Sequence, residues 1–364
     1  MDKRKLMFYI NTLGTGGAER VMSRLASHFC KDGYEVLLVT SFPIEEEYPL
    51  DEGVIRLQLE EKELAANRIS RNLSRIKKLR KLCKVHKPDV LVAFMQEPNF
   101  RAVLATVGLP VKTVVSVRND PKREYAGRVG RFVGKRILPM ADGCVFQTEQ
   151  AKAWFPEKLQ KKSAVIFNEV SETFFHVKRK DHKNVVTVGR LTAQKNHELL
   201  IGAFAKVAEK YPDQNLLIYG QGEKKEQLAA LIEKLQMSDR IFLMGVTSDV
   251  PQVLSETGMF VLSSDYEGMP NALMEALAVG VPCISTDCPC GGPDMLIKNE
   301  ENGLLVPIKD EQMLVAAMDR LLGDPIFAEQ LGEAARERAK NYLPENIFRE
   351  WKAYIDAQCE RRRK

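Results

Sequence analysis

Short apolar runs recur along this chain in two successive series, most of them followed by a longer stretch with helical spacing. The first series reads Leu6–Ile10, Glu35–Thr40, a weaker run near Val54–Leu59, then Asp89–Phe94, Lys112–Val117, Gly143–Gln147 and Ala164–Phe167. The second reads Val185–Val188, Asn215–Tyr219, Ile241–Met244, Met259–Leu262, Pro282–Ser285 and Gly303–Val306. Runs this short, without a polar alternate face, are buried parallel strands. Their alternation with helices predicts an α/β fold with a doubly wound, Rossmann-like parallel sheet in each half. Two such domains facing each other leave a cleft at the carboxyl ends of their strands, where open α/β sheets bind ligands. The expected division is a domain over 1–175, a second over 176–344, and a helix over 345–364 containing Trp351. The largely polar segment Ser171–Lys183 is the expected linker.

Composition narrows the function classes. A net charge of +5 over 364 residues points to no nucleic-acid partner. The seven cysteines lack metal-ligand spacing, and Cys288 and Cys290, separated by Pro289 alone, suit neither a zinc knuckle nor a redox dithiol. They read as reduced thiols of a cytoplasmic protein. No apolar run reaches the roughly 18 residues of a membrane span, and Leu6–Ile10 is too short for a signal peptide.

The stretch from Ser263 to Thr286 carries the chemistry. Glu267 lies in a loop after an apolar strand, and Glu275 lies one and a half turns into the helix that opens near Pro270. Both can face a ligand held at that helix N-terminus. Free backbone N–H groups there favour phosphate, and carboxylates accept hydrogen bonds from sugar hydroxyls. Sugar, diphosphate and ribose together describe a nucleotide sugar. The run Glu267-Gly268-Met269-Pro270-Asn271, continuing through Glu275 to Gly280 and Pro282, resembles the signature of the family-four retaining glycosyltransferases, which have the GT-B fold.

Other segments agree with that resemblance. Gly189-Arg190-Leu191 and Lys195-Asn196 are similar to the family's strand-end motif. Preorganised cations there stabilise the charge that builds on a departing diphosphate. His197 reads as a helix-start residue. Gly220 and Gly222 end the next strand, and by resemblance lie near the donor's phosphates or base. Gly245-Val246-Thr247 looks like a nucleobase loop. The rigid loop Thr286–Pro293 resembles one in relatives that build surface polysaccharides, with Asp294 where many have Glu. In the first half, Gly14 to Arg20 fails the dinucleotide spacing and instead resembles the family's Gly-Gly-Ala-Glu-Arg element, in which Gly16 and Gly17 approach the donor.

Arg68 to Lys87 holds nine Lys or Arg and no acid. At about 100° per residue, Arg68, Arg71, Arg75 and Lys78 form one stripe beside an arc of Ile69, Leu73, Ile76, Leu79 and Cys83. That pattern suits an anionic membrane surface or a diphosphate headgroup, and equally a solvated basic face over a core stripe. A bacterial N-acetylgalactosamine polymerase of the family engages its acceptor's pyrophosphate with a comparable helix. Arg118 stands where the family usually has a cleft histidine, so Arg118 and Asn119 are the expected acceptor or sugar contacts there.

The resemblance implies a metal-independent, cofactor-free transferase on the inner face of the cytoplasmic membrane. It would move a hexose or N-acetylhexosamine from a nucleotide sugar, expected to be UDP-linked, to a polyprenyl-diphosphate-linked saccharide with retention. Catalysis would fall to Glu267, Arg190 and Lys195. The donor would meet Gly16, Gly17, Gly189, Gly220, Gly222, Val246, Gly268, Met269, Pro270, Asn271 and Glu275. The acceptor would meet Arg68, Arg71, Arg75, Lys78, Arg118 and Asn119. A non-hydrolysing sugar-nucleotide epimerase and a silent sugar-nucleotide-binding subunit are the competing readings.

Overall fold

The computed structural model describes residues 3–14, 16–62, 67–180 and 183–360. Thr15 of the glycine-rich turn, positions 181 and 182 of the expected linker, and 361–364 of the expected terminal helix lie outside them. The chain divides into two units, one of Met1–Asn168 with Glu345–Lys364 and one of Glu169–Pro344.

The first unit holds strands β1 (Lys5–Ile10), β2 (Glu35–Thr40), β3 (Ile55–Gln58), β4 (Val90–Phe94), β5 (Lys112–Val117), β6 (Gly143–Phe146) and β7 (Ser163–Val165), in the order β3-β2-β1-β4-β5-β6-β7. Every pairing is parallel, with Leu6 opposite Val36 on one side and Val90 on the other. The pleat sends alternate side chains of β1 to opposite faces. Leu6, Phe8 and Ile10 pack with Val21, Met22, Leu25 and Phe29 of helix Gly17–Lys31. The same cluster takes Ile347, Trp351, Ile355 and Cys359, spaced four apart on helix Pro344–Glu360, so the chain's last helix belongs to the first sheet. On the opposite face, Met7 and Tyr9 meet Leu79 and Cys83 of helix Arg68–His86 and Ala102 and Ala105 of helix Gln96–Thr106.

The second unit holds β8 (Asn184–Val188), β9 (Asn215–Tyr219), β10 (Ile241–Gly245), β11 (Thr257–Leu262), β12 (Cys283–Thr286) and β13 (Leu304–Val306), ordered β10-β9-β8-β11-β12-β13. It begins at Glu169, and residues 169–175, expected in the first domain, are counted in the second. Phe174 supplies the reason. It is buried in the short helix Glu172–His176, which packs on helix Asn271–Val279, and the Val170 amide donates to the Tyr342 carbonyl at 2.8 Å.

In both sheets the order in which the chain adds strands reverses beside the first strand, between β1 and β4 and between β8 and β11. Loops leaving the carboxyl ends of such a pair diverge and open a crevice. No helix among the described residues is long and apolar enough to cross a membrane.

Candidate active site

In the second unit the loops after β8 and β11 meet at the switch point. Lys195 Nζ lies 2.6 Å from Glu267 Oε1, with both side chains largely buried. Ser264 Oγ donates to the same oxygen at 2.7 Å, and Gln194 Nε2 donates to the Tyr266 carbonyl at 2.9 Å. Asn196 fixes the turn that delivers Lys195. It adopts the left-handed conformation at φ 45°, which Asn tolerates better than most residues. Its side chain caps helix His197–Ala208 through the Leu199 amide and donates to Asp265 Oδ1 at 2.8 Å. Arg190 is exposed at the β8 end. Glu275 is 6% exposed in the second turn of helix Asn271–Val279, and Met269 and Pro270 are buried ahead of it.

Glycines make this packing possible. A Cβ on Gly220 would sit 1.9 Å from the Gly189 carbonyl oxygen, and one on Gly222 would sit 2.4 Å from that of Leu191. At Gly189 it would press on Lys195 Cε at 3.1 Å. The loop after β12 clamps Glu267 from behind: the Glu267 amide donates to the Pro289 carbonyl at 2.7 Å and the Cys290 amide to the Glu267 carbonyl at 2.9 Å. Gly292 lets that loop close on Gly268, where a Cβ would lie 1.8 Å from the carbonyl oxygen. Cys288 and Cys290 are buried, burial pushes the Cys288 thiol up, and none of the seven cysteines forms a disulfide. Val246 is 68% exposed beyond β10, Asp294 is also exposed, and His197 is the buried first residue of its helix.

In the first unit, Arg118, Gln147 and Asn168 converge from the ends of β5, β6 and β7. Arg118 Nη2 and Gln147 Nε2 both donate to Asn168 Oδ1, the second at 2.8 Å, and the Arg118 guanidinium lies 4.6 Å over the Phe94 ring. Asn119 is turned toward its own chain, accepting from the Asp120 amide at 2.8 Å. Gly16 caps helix Gly17–Lys31 without a side chain, and Gly17 is exposed.

The basic helix departs from its expected phase. Arg75, placed by the wheel on the exposed cationic stripe, is 2% exposed and forms a buried ion pair with Glu60 at 2.7 Å. Of the apolar arc, Leu79 and Cys83 are buried while Ile69 and Leu73 are 75% and 55% exposed. Glu60, just past β3, meets Arg75 as its counter-charge on the buried side of the helix. Arg68 is exposed with Nε 3.0 Å from Glu97, Lys78 is partly exposed 4.0 Å from Glu60, and Arg71 is half-buried. Arg75, expected at the acceptor, instead pairs with Glu60 inside the fold.

Comparison with known proteins agrees with this architecture. Residues 15–173 match the family model described as Glycosyltransferase Family 4, and residues 170–338 match Glycosyl transferases group 1. The chain belongs to the family-four glycosyltransferases. An α-1,4-N-acetyl-D-galactosaminyltransferase of Campylobacter jejuni, named as acting on a diphosphate-undecaprenol glycan, is 27% identical over 95% of this chain and 97% of its own. Among solved structures, sucrose-phosphate synthase from Thermosynechococcus elongatus superposes with a TM-score of 0.84 at 19% identity, covering 98% of this chain and 99% of that one. Anabaena HepE, solved with UDP and glucose, gives 0.81 at 16% identity, covering 97% and 100%. These superpositions establish the GT-B fold, two parallel-sheet Rossmann-like units.

Members of the family-four glycosyltransferases take a nucleotide sugar as substrate, and three features of this member escape sequence reading. Arg101 is fully buried, with Nη1 donating to Asn11 Oδ1 at 2.7 Å, Nε to Asn72 Oδ1 at 2.5 Å, and Nη2 bound to Glu97. It ties the loop after β1 to two helices at the first switch point. A single arginine amid Ala102, Val103 and Ala105 was its one sequence signal. Met95, immediately after β4, holds φ 76°, a costly angle for a non-glycine residue.

Glu124 is the third. Its Oε2 is enclosed without a hydrogen-bond partner among the described residues, and burial, only partly offset by the Gln96 amide and the Arg118 charge, pushes the carboxyl up to about 8. A raised carboxyl holds its proton in the folded state while the unfolded chain releases it. Stability from this group therefore falls as pH rises from about 4.5 to about 8. The Glu124→Gln variant should melt above wild type at pH 8 and alongside it at pH 4.5. Parallel melting curves across that window would show that Glu124 ionises normally.

Proposed function

We propose that this glycosyltransferase moves a hexose or N-acetylhexosamine from a UDP-sugar to a polyprenyl-diphosphate-linked saccharide, at the inner face of the cytoplasmic membrane, with an α-linkage. The observation that carries the reading is the Lys195–Glu267 pair at the switch point of the second sheet, beside exposed Arg190. The family uses nucleotide sugars, the HepE structure holds UDP, and the Campylobacter relative is named for a diphosphate-undecaprenol acceptor.

Donor entry separates the ion pair. Lys195 turns to the diphosphate with Arg190, supplying the positive charge that a divalent ion supplies in other transferases. Glu267 then holds the transferred sugar's hydroxyls, still oriented by Ser264 and the loop behind it. Glu275 takes the ribose hydroxyls, and Val246 borders the base. Backbone amides at Gly268, Met269 and Asn271 reach the phosphates. The bond from the anomeric carbon to the phosphate oxygen breaks. The acceptor oxygen bonds that carbon on the same face, and its proton passes to the departing phosphate oxygen. That route needs no protein base, consistent with Arg118 in place of histidine. Arg118 orients the acceptor saccharide, with Asn119 on the same loop, and Arg68, Arg71 and Lys78 draw in its diphosphate.

The test pairs calorimetry with a transfer assay. Glu275→Ala should weaken UDP binding by about ten-fold or more, the loss of charge-assisted hydrogen bonds. Unchanged affinity removes Glu275 from the ribose. Transfer from a UDP-sugar to a polyprenyl-diphosphate saccharide supports the reaction. Interconversion of sugar nucleotides without acceptor would instead make the protein an epimerase.

A further inference from the structure

Val129 and Phe132 are 78% and 58% exposed on one side of a continuous helical segment, Gly127–Phe132 followed by Val133–Ile137 wound as a π-helix and a final turn at Leu138–Met140. The opposite side is fixed. Gly130 and Gly134 are buried, and a Cβ would come within 2.6 Å of the Tyr125 carbonyl carbon at the first and 2.7 Å of the Trp154 ring at the second. The segment thus lies flat on a platform in which Tyr125 stacks on Trp154 at 5.9 Å and meets Phe155 edge-on at 5.6 Å. Held this way, Val129 and Phe132 cannot turn inward to bury themselves.

Charge identifies what covers them. Arg128, Arg131 and Arg136 are exposed around the two apolar side chains, and no acidic residue occurs between Glu124 and Asp142. Lys135 is not part of this face, since its ammonium lies 4.0 Å over the Trp154 ring. Helix Arg68–His86 repeats the pattern, with exposed Ile69 and Leu73 beside exposed Lys77, Lys81 and Lys84. The two elements flank helix Gln96–Thr106. The crossovers from β3 through β6 all advance in one direction along the sheet, which places their helices on one face.

We propose that this face docks on an anionic lipid bilayer. Phe132 and Val129, with Ile69 and Leu73, enter the boundary between headgroups and acyl chains, and Arg128, Arg131 and Arg136 lie at the level of the lipid phosphates. The inference deepens, and rests on, the reading of a membrane-borne acceptor, but it assigns the principal contact, Val129 and Phe132, to a segment distinct from the helix that carries the diphosphate-facing Arg68 and Arg71.

Co-sedimentation with phosphatidylglycerol-containing vesicles tests it. Wild type should bind these vesicles and leave phosphatidylcholine vesicles unbound. Val129→Ser with Phe132→Ser, and separately Arg128→Ser with Arg131→Ser and Arg136→Ser, should each lower the partition coefficient by about ten-fold or more. UDP affinity and transfer to a water-soluble short-chain acceptor should hold in both, which also shows that the variants fold. Wild type that ignores anionic vesicles overturns the proposal, as do variants that bind like wild type. So does a dimer, seen by sedimentation velocity, that the Val129 and Phe132 changes dissolve. Vesicle binding lost as expected, with no transfer to any lipid acceptor by wild type, sinks the reaction reading and leaves the docking face standing.

Discussion

Lys195→Ala should lower turnover by on the order of 10²–10³-fold, the usual effect of removing one preorganised stabiliser of developing charge. The ammonium lies 2.6 Å from Glu267, so in the free protein it is held by a carboxylate rather than by solvent. A nucleotide diphosphate offers it a stronger partner, and that partner's charge grows as the glycosidic bond breaks. An interaction that strengthens toward the transition state appears in kcat and kcat/KM together, with donor KM changing far less. Circular dichroism should confirm a folded variant, because the change strands Glu267 with Ser264 and Gln194. Turnover within about ten-fold of wild type would mean that Lys195 only positions the glutamate, and the charge stabilisation would then rest on Arg190.

Arg75→Ala should cost about 3–5 kcal/mol of stability, the range found when one partner of a buried ion pair is removed. Its guanidinium satisfies Glu60 through Nε and Nη2 at 2.7–3.2 Å, and it lies 5.3 Å over the Phe42 ring. Without it a carboxylate that is 1% exposed keeps only the half-exposed Lys78 ammonium, 4.0 Å away. Replacing both residues with apolar groups, Arg75→Met with Glu60→Leu, should recover most of the loss, because the buried charge goes with its partner. Urea titration of the three variants measures this. Should Arg75→Ala unfold at the wild-type midpoint yet lose acceptor turnover, the arginine would belong to the acceptor site after all.

That pair marks where sequence reading stops. Most strands were legible because they are short, apolar on both faces and closed by a glycine-rich or polar turn; the edge strand β3, Ile-Arg-Leu-Gln, gave only a weak run. Lys195 and Glu267 were legible because their spacing from strand ends places both at one crevice. The phase of helix Arg68–His86 was not. Its wheel shows a cationic arc and an apolar arc that overlap the buried side equally well, and the residue that decides between them, Glu60, lies in a separate loop. The start of the second unit at Glu169 was hidden for a similar reason. Phe174 and Phe175 sit in a polar stretch, and only the helix that receives Phe174 reveals which core it joins. Arg101 and Glu124 become visible as unusual only when their burial is known.

The glycine contacts behind the β8, β9 and β12 loops divide the proposed donor pocket into a frame and a rim. Gly220, Gly222 and Gly292 face backbone carbonyl oxygens so closely that even one added methyl group displaces the backbone, and at Gly189 it would press on the Lys195 stem. Those positions have no freedom to adapt to a different sugar or base. Exposed Arg190 and Val246 have no such constraint. Any divergence in donor preference, by natural drift or by engineering, has its room at the rim.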